Sequence, residues 1–545
     1  MARHSAYFLV IFLIASCALA QPSIYSTEVV NSASYLVQGY PGSGIAQGSI
    51  FTIFGTGLGP NTWVQAPSLP LQTTLGGTSV NVTVGGQTVN AYIMGAASWQ
   101  VNALLPSNTP TGSGTVTVTY NKQNSAPEPV EIVTASFATY TFNSAGFGQA
   151  IATDLNYNVN TIIKTFHPGD WVILWGTGLG PISGSDAGLP PVGNIGSPTV
   201  HIGNASLTPP YAGRSASFPG LDQVQFQIPS GIQGCSVPVT VETNGIVGGV
   251  SIIAVSAAGQ TCPDSLMGQD MVNKLAAGGT VNFGFVQLYA IILRNGLLPV
   301  VSNYVPDYGE ASFSQFTPQT AGLASYGVSQ GYCLGPTTND PDMSRSPFDE
   351  LDAGAAITVQ YQSTATITRP YATYYPGWYY SGVNGVGGSQ FFWSGEPYII
   401  SGTGGTQVGA FSVTDTTSIP SAYFSGIVPG QTFSRSSDLK VTWTNGNPGL
   451  QNGNVTIAGY SGSSDGTLSS FFMCTAPLSS QSFTIPKWVL SSLLPTGSYN
   501  VGTVPVPYGY IWIGQFNNPV TFQATGLDKG IVIDQFFSGF PVFFQ

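Results

Sequence analysis

A stretch of thirteen residues occurs twice in this chain and decides the fold. Residues 48–60 read GSIFTIFGTGLGP, and residues 169–181 read GDWVILWGTGLGP, a shift of 121 positions. In each copy β-branched and aromatic residues precede a Gly-Thr-Gly-Leu-Gly-Pro segment, which predicts a strand that ends in a glycine-dependent turn. A nucleotide-binding loop is excluded, because the glycines lack G-x-G-x-x-G spacing and a proline and loop sequence follow where that site needs a helix.

The sequence around each copy is also repeated, in the same order and with nearly constant spacing. The further matches are LP at 69–70 and 189–190, VNVTVGG at 80–86 with VHIGN at 200–204, and WQVNALLP at 99–106 with DQVQFQIP at 222–229. Ordered matches of this kind indicate a duplication. Each unit contains short alternating strands separated by Gly, Pro and Asn turns, which is typical of a β-sandwich.

Charged residues are scarce, and this excludes several classes of protein. Of 545 residues, 12 are Lys or Arg and 23 are Asp or Glu, which gives a net charge of −11 and a charged fraction of 6%. A nucleic-acid-binding protein needs a basic face to neutralise phosphates, and helical bundles and coiled coils need many Glu and Lys residues. Disorder is excluded as well, because 42% of the residues are hydrophobic and can form a core.

The order of these motifs resembles a known repeat. With VVNSASY at 29–35 and GCSVPV at 234–239 followed by Cys262, residues 28–262 resemble the Solibacter uncharacterised domain family. These are secreted bacterial repeats related to IPT/TIG immunoglobulin-like domains. The resemblance implies an immunoglobulin-like fold, export and a disulfide in the closing strand pair, and it brings no catalytic residues and no established ligand. The first copy lacks the cysteine pair, so packing alone would hold it.

We therefore predict an all-β protein with two tandem immunoglobulin-like, IPT/TIG-related β-sandwiches at 24–135 and 136–262. One large or two smaller β-sandwich domains should follow, at 263–420 and 421–545, because this half also contains short predicted strands separated by turns. One short helix is expected at 270–277, where apolar residues fall on one face before two glycines.

The N-terminus predicts export by one of two routes. Residues 1–20 have Arg3 and His4 before an apolar run, and small residues stand before Gln21, as in a signal peptide. Residues 14–17 (IASC) also fit a lipobox, in which case lipidated Cys17 would anchor an outer-membrane lipoprotein. Both routes place the protein outside the cytoplasm or on the cell surface. No later stretch is apolar enough to predict a transmembrane span.

Four cysteines follow Cys17, and an even number in an exported chain predicts two disulfides among three possible connectivities. Cys235 and Cys262 bracket one strand pair, which favours a bond between them and leaves Cys333 to pair with Cys474. Free thiols or a metal site are the alternatives. A four-cysteine metal site usually shows C-x-x-C spacing, which is absent here.

Groups for catalysis and metal binding are few. His167 and His201 are the only histidines after the signal segment, so a metal site of several imidazoles is excluded and a Ser-His-Asp triad would have to use one of them. Acidic residues cluster at 340–352, where Asp349 and Asp352 are the candidates for acid–base catalysis, and a solvated loop with or without calcium is the simpler interpretation. We predict no enzyme, no cofactor and no metal site.

Aromatic residues are concentrated between 371 and 398, where Tyr and Trp side chains surround a glycine-rich stretch. Exposed aromatic faces can stack on sugar rings, whereas buried ones form a core, and core packing is the favoured interpretation for the segment as a whole. The candidate ligand-binding residues are Tyr375, Trp378, Tyr380 and Trp393. The sequence thus predicts a structural or adhesive surface protein, with surface proteins or extracellular polysaccharide as partners. A carbohydrate-binding protein is the alternative, and a glycan-active extracellular enzyme comes third.

Overall fold

The structure is a computed structural model. It describes residues 21–257, 259, 261–262, 266–294, 297, 307–320, 327–338, 349–361, 363–368, 378–383, 391–392, 396–416, 422–444, 446–450 and 453–545. The predicted signal segment, with Cys17, lies outside these ranges. Nearly all regular structure is β-sheet, which confirms the predicted all-β class. In the described part of the chain, no helix combines the length and hydropathy that crossing a bilayer requires.

The first unit is a sandwich of two sheets around one core. In spatial order, the first sheet contains Ser23–Asn31, Ile50–Thr56, Gln100–Leu104, Tyr92–Ala96 and Val64–Gln65. The second contains Ile45–Ala46, Glu128–Val133, Gly112–Tyr120, Thr78–Val84 and Thr74–Leu75, with Gln123–Asn124 and Gln87–Asn90 as side pairings. Phe51 and Ile53 of one sheet and Val82 and Val116 of the other share the core. Alternating side chains produce this arrangement, because every second residue of a strand faces the same side.

The second unit repeats this plan. One sheet contains Ala138–Thr139, Trp171–Thr177, Asp222–Gln227 and Tyr211–Arg214, with Ala152–Thr153 at its side. The other contains Gly148–Gln149, Ser251–Val255, Gly234–Thr243, Thr199–Ile202 and Ala205–Leu207, with Ile246–Val247 at its side. The duplicated stretch forms equivalent strands, Ile50–Thr56 and Trp171–Thr177. The prediction of two tandem immunoglobulin-like sandwiches is therefore confirmed.

The C-terminal half is built on one sheet of ten strands. They are Cys333–Thr338, Ser469–Pro477, Asn454–Gly462, Gly509–Phe516, Lys529–Pro541, Val281–Leu293, Asp307–Phe316 and Asp349–Glu350 in order, with Trp378–Val383 and Val520–Phe522 alongside. Val281–Leu293 and Lys529–Pro541 pair in parallel from Phe283 opposite Lys529 to Leu293 opposite Gly539. Strands from 263–420 and from 421–545 thus share one sheet, in which four neighbouring strands from 421–545 lie between strands from 263–420. The domain limits themselves stay predictions.

Two smaller sheets cover different parts of this large sheet. One contains Ser363–Thr368, Ala356–Tyr361, Pro397–Gly402 and Phe411–Thr416, and the other contains Tyr423–Ser425, Leu439–Thr444 and Ser482–Ile485. Separate two-strand pairs join Thr432–Phe433 to Phe543–Phe544 and Ser498–Val501 to Val504–Pro507. Each of the two smaller sheets closes its own apolar core against the large sheet.

Helical structure in the described residues is short and local. The helices are Gln269–Ala276 and Lys487–Ser491, with a 3₁₀ turn at Leu478–Ser480. The first agrees with the expected helix, and its apolar face, Met271, Val272 and Leu275, is buried. Gly278 follows with a φ of +89°, a conformation that glycine adopts readily and that ends the helix.

Both predicted disulfides are present. Cys235 is bonded to Cys262, and Cys333 to Cys474. Cys333 and Cys474 are direct partners on neighbouring strands of the large sheet. Disulfides persist in oxidising compartments, which indicates a location outside the cytoplasm.

Candidate functional site: the cleft between the first two units

Side-chain and backbone hydrogen bonds join the first two units. The Ile50 amide donates to Thr177 Oγ1 at 2.9 Å, and that hydroxyl donates to the Gly220 carbonyl at 2.8 Å. Asp186 of the second unit accepts two bonds from Ser107 of the first, at 2.7 Å from the amide and 2.8 Å from the hydroxyl. The bonds from Ile50 and from Ser107 cross the junction between buried groups, and they favour one arrangement of the two units.

A buried ion pair strengthens the same junction. The guanidinium of Arg214 pairs with Asp222, and both side chains are fully buried. Arg214 Nη2 also donates to the carbonyl oxygens of Gly48 and Gly180, at 2.6 and 2.7 Å. The second carboxylate oxygen of Asp222 accepts the amides of Gly178 and Leu179 within the repeated turn, both at 2.8 Å. A buried charge is tolerated only when it is paired and hydrogen-bonded, as it is here.

A cleft opens beside this junction, with a volume of about 520 Å³. Residues of both units line it, and none of the lining residues is charged. Three of its apolar side chains remain partly exposed to solvent, namely Trp63 and Leu69 at 41% exposure and Phe218 at 44%. The size lies within the range of about 300–1,000 Å³ typical of small-molecule sites.

The Trp63 indole lies against the backbone of Gly95. A Cβ atom added at Gly95 would stand 2.1 Å from Trp63 Cζ2, so any larger residue would displace the ring. Gly95 lies in strand Tyr92–Ala96 next to an irregularity in the pairing with Gln100–Leu104. Glycine in a strand often marks such a close approach. The strand therefore holds the indole in position, while the Trp63 side chain remains 41% exposed.

Polar groups are placed around these aromatic rings. Asn102 Oδ1 accepts bonds from Thr52 Oγ1 at 3.2 Å and Gln100 Nε2 at 2.8 Å, whereas its Nδ2 has no partner among the described residues. The hydroxyls of Ser32 and Tyr140 contact each other at 3.0 Å across the junction. Burial raises the pKa of Tyr140 and of Tyr35 above the usual phenol value, so both rings stay neutral at physiological pH. The cleft thus offers aromatic faces, hydroxyls and an amide, without a formal charge.

The four aromatic candidates predicted from the sequence are not placed by the structure. Tyr375 and Trp393 lie outside the described residues, as do the side chains of Trp378 and Tyr380, whose backbones lie in strand Trp378–Val383. Four of the other aromatic residues of this segment are buried in the core between two sheets, namely Tyr379, Phe391, Phe392 and Tyr398. For these four, packing is the role that the structure shows.

His201 contacts a serine and a glutamate. Its Nδ1 lies 2.8 Å from Ser206 Oγ and its Nε2 lies 2.9 Å from Glu242 Oε2. These are the residue types of a hydrolase triad, but the imidazole is 5% exposed and stacks on Trp488, with ring centroids 5.7 Å apart. Burial lowers the pKa of His201, against the opposing effect of Glu242. The cluster therefore joins the second unit to the C-terminal half.

Asp352, of the predicted acidic loop, stabilises a turn. Its carboxylate accepts the amides of Gly354 and Thr406 at 3.0 and 3.1 Å, and the Thr406 hydroxyl at 3.0 Å. Asp349 is exposed, whereas Asp340 and Asp342 lie outside the described residues. Over the described ranges, no group of three His, Cys, Asp or Glu residues could hold a metal ion.

Sequence reasoning missed the cleft and its central residue, Trp63. One signal was present, because Trp63 follows the repeated turn at a position where the second copy, 121 residues later, has Gly184. An aromatic residue in one copy only does not serve the shared fold. The contribution of Phe218 had no such signal, because only the packing of the two units brings its loop to Trp63.

Comparison with known proteins gives no family. No protein-family model matches the chain, and no curated protein matches it. The resemblance to the Solibacter family therefore stays a prediction, while the immunoglobulin-like sandwich architecture follows from the sheets themselves.

Several solved structures align at low similarity. SGBP-B of a Bacteroides ovatus mixed-linkage glucan utilization locus, in complex with a heptasaccharide, is 10% identical over 86% of this chain and 96% of its own, with a TM-score of 0.16. The S-layer protein SbsC is 12% identical over 95% of this chain and 54% of its own, with a TM-score of 0.18. The Escherichia coli adhesin FdeC is 12% identical over 73% and 99%, with a TM-score of 0.14. At TM-scores this low, these likenesses carry no argument about what the chain binds.

Proposed function

We propose that this chain is an exported, non-catalytic structural or adhesive protein of the cell surface or extracellular space. The observation that carries the proposal is the bonding between its parts, which holds successive β-sandwiches as one body. Arg214 links the first two units, and His201 stacks on Trp488 where the second unit meets the C-terminal half. A protein that spaces or presents surfaces outside the cell needs fixed relative positions of this kind.

Contacts between the first unit and the C-terminal half add to this support. The Tyr40 hydroxyl donates to the Ser469 carbonyl at 2.8 Å, and Leu36 and Tyr40 pack in an apolar cluster with Leu494. Each of the three parts therefore contacts both of the others. Two disulfides add covalent cross-links that suit an oxidising environment.

The first test is export. The full chain, with its first 20 residues, would be expressed in a bacterial host and followed by cell fractionation and protease accessibility on intact cells. We expect the chain outside the cytoplasm with both disulfides formed. Intact mass separates cleavage before Gln21 from lipidation at Cys17. Retention in the cytoplasm in reduced form would overturn the proposal.

The second test is adhesion without catalysis. Beads coated with the purified chain should attach to bacterial cell surfaces or extracellular matrix, and beads coated with reduced, unfolded chain serve as the control. Equal attachment of both bead types would contradict an adhesive role. Glycan hydrolysis that is lost in Asp349→Ala or Asp352→Ala would overturn the non-catalytic part of the proposal and support the glycan-active alternative.

A further inference from the structure

We propose that the cleft between the first two units binds a neutral oligosaccharide, with one sugar ring stacked on the accessible side of Trp63. The proposal goes beyond a structural role and does not depend on it. The cleft is also distinct from the aromatic segment 371–398, so the two sites can be tested separately.

Accessible apolar surface is concentrated in the cleft. Trp63, Leu69 and Phe218 come from both units, line one cavity and are each 41–44% exposed. Contiguous exposed apolar groups in a cleft mark binding sites, whereas single exposed ones are ordinary. The indole packs against the backbone of Gly95, so the ring is held in position before a ligand binds.

The lining residues carry no charge, although the net charge of the chain is −11. An anionic or cationic ligand buried there would lose its hydration without gaining an opposite charge, which is costly. A sugar ring has an apolar face that fits an indole and hydroxyls that need donors and acceptors. Asn102 Oδ1 accepts two hydrogen bonds, which fix the orientation of the amide. The Nδ2 group of Asn102 can therefore donate to a sugar hydroxyl.

Hydrogen bonds between the two units hold the walls of the cleft in position. Ser32 contacts Tyr140 across the junction, and the Leu71 amide on one wall donates to the Ala187 carbonyl of the other unit at 2.7 Å. A site whose walls are fixed before binding loses little conformational entropy when the ligand enters.

A peptide fits this cleft less well than a sugar does. Extended peptides add to an exposed sheet edge and pair along several residues. The edge strand at the cleft, Val64–Gln65, has two residues, which allows little pairing. An apolar peptide is therefore an outcome of the test that would contradict the proposal.

Affinity electrophoresis tests the proposal with the full chain. Gels would contain β-glucan, xylan, galactomannan or starch, with carboxymethyl cellulose as a charged comparison, and calorimetry with neutral oligosaccharides would follow. We expect retardation in at least one neutral polymer. Trp63→Ala and Phe218→Ala should each raise the dissociation constant at least tenfold, Asn102→Ala several-fold, and Trp63→Tyr should retain most of the binding.

The matched control is Trp99→Ala, because Trp99 is 50% exposed in the same unit and does not line the cleft. This variant should bind as the unchanged chain does. Equal melting temperatures of all variants would separate lost binding from lost folding. The proposal is overturned if no neutral polymer binds, if binding survives both Trp63→Ala and Phe218→Ala in folded protein, or if only the charged polymer or apolar peptides bind.

Discussion

Arg214 of the second unit donates a hydrogen bond to the carbonyl oxygen of Gly48 in the first, 166 residues away along the chain. Gly48 opens the first copy of the repeated stretch, and Gly180, which accepts a second bond from the same nitrogen, lies in the other copy. One guanidinium therefore ties both copies together. Its counterion, Asp222, aligns with Trp99 of the first unit in the repeated sequence. The second copy therefore has a buried carboxylate at a position where the first copy has a tryptophan.

Removal of the Arg214 charge should destabilise the protein strongly. Arg214→Met leaves Asp222 buried and uncompensated, which costs about 3–5 kcal/mol. Urea unfolding of the full chain measures the change. The control is the exposed pair of Lys274 and Asp528, 2.5 Å apart, where Lys274→Met should cost less than about 1 kcal/mol. Similar costs at the two pairs would contradict the junction that we describe.

A methyl group at Gly48 should weaken the junction by steric clash. A Cβ there would stand 2.3 Å from Arg214 Nη2, and the φ of +69° already favours glycine. We expect Gly48→Ala to cost about 1–3 kcal/mol beyond its backbone strain. Gly85→Ala is the matched control, because Gly85 has a φ of +56° but no atom within 4 Å of its added Cβ. The difference in melting temperature between the two variants isolates the clash, and no difference would refute it.

Asp415 should make stability depend on pH. Its side chain is buried in strand Phe411–Thr416, its Oδ2 has no partner among the described residues, and burial raises its pKa from 3.8 to about 6. The folded state therefore binds the proton more tightly than the unfolded state. The stabilisation is fully present below about pH 4 and is lost as the pH rises through about 6.

Replacement of Asp415 by an uncharged residue removes this loss. At pH 7 we expect Asp415→Asn to be more stable than the unchanged chain, by at most about 3 kcal/mol. The advantage should disappear towards pH 4, as measured by urea unfolding across this range. Asp349→Asn, at an exposed position, controls for the effect of replacing a carboxyl group by an amide. An advantage that does not change with pH would show that the charge of Asp415 is not its origin.

The two disulfides should contribute unequally to stability. Cys333–Cys474 closes 141 residues and Cys235–Cys262 closes 27. Loop entropy then predicts losses of about 5 and about 3.5 kcal/mol when each pair is replaced by alanines. Denaturant unfolding of the two double-alanine variants under oxidising conditions measures the order. An equal or reversed order would mean that native packing, rather than chain entropy, decides the effect of these bonds.

Local sequence was sufficient for much of the fold. The alternation of residues in the repeated stretch predicted strands Ile50–Thr56 and Trp171–Thr177, because a period of two places one set of side chains in a core. Spacing also favoured the observed bond between Cys235 and Cys262, which left Cys333 for Cys474. Concentration of aromatic residues did not by itself separate a core from a binding surface, and the burial of Tyr379 and Tyr398 agrees with the core interpretation for these two.

The sequence by itself thus determined the all-β class, the duplication and the cysteine pairs, because these follow from period, order and count along the chain. Only the tertiary structure decided that Val281–Leu293 pairs with Lys529–Pro541, that Arg214 reaches Gly48, and that Trp63 and Phe218 face one cleft. The physical reason is distance along the chain. Strand periodicity is a property of neighbouring residues, whereas these contacts depend on which distant surfaces lose the most apolar area and satisfy the most buried polar groups when they meet.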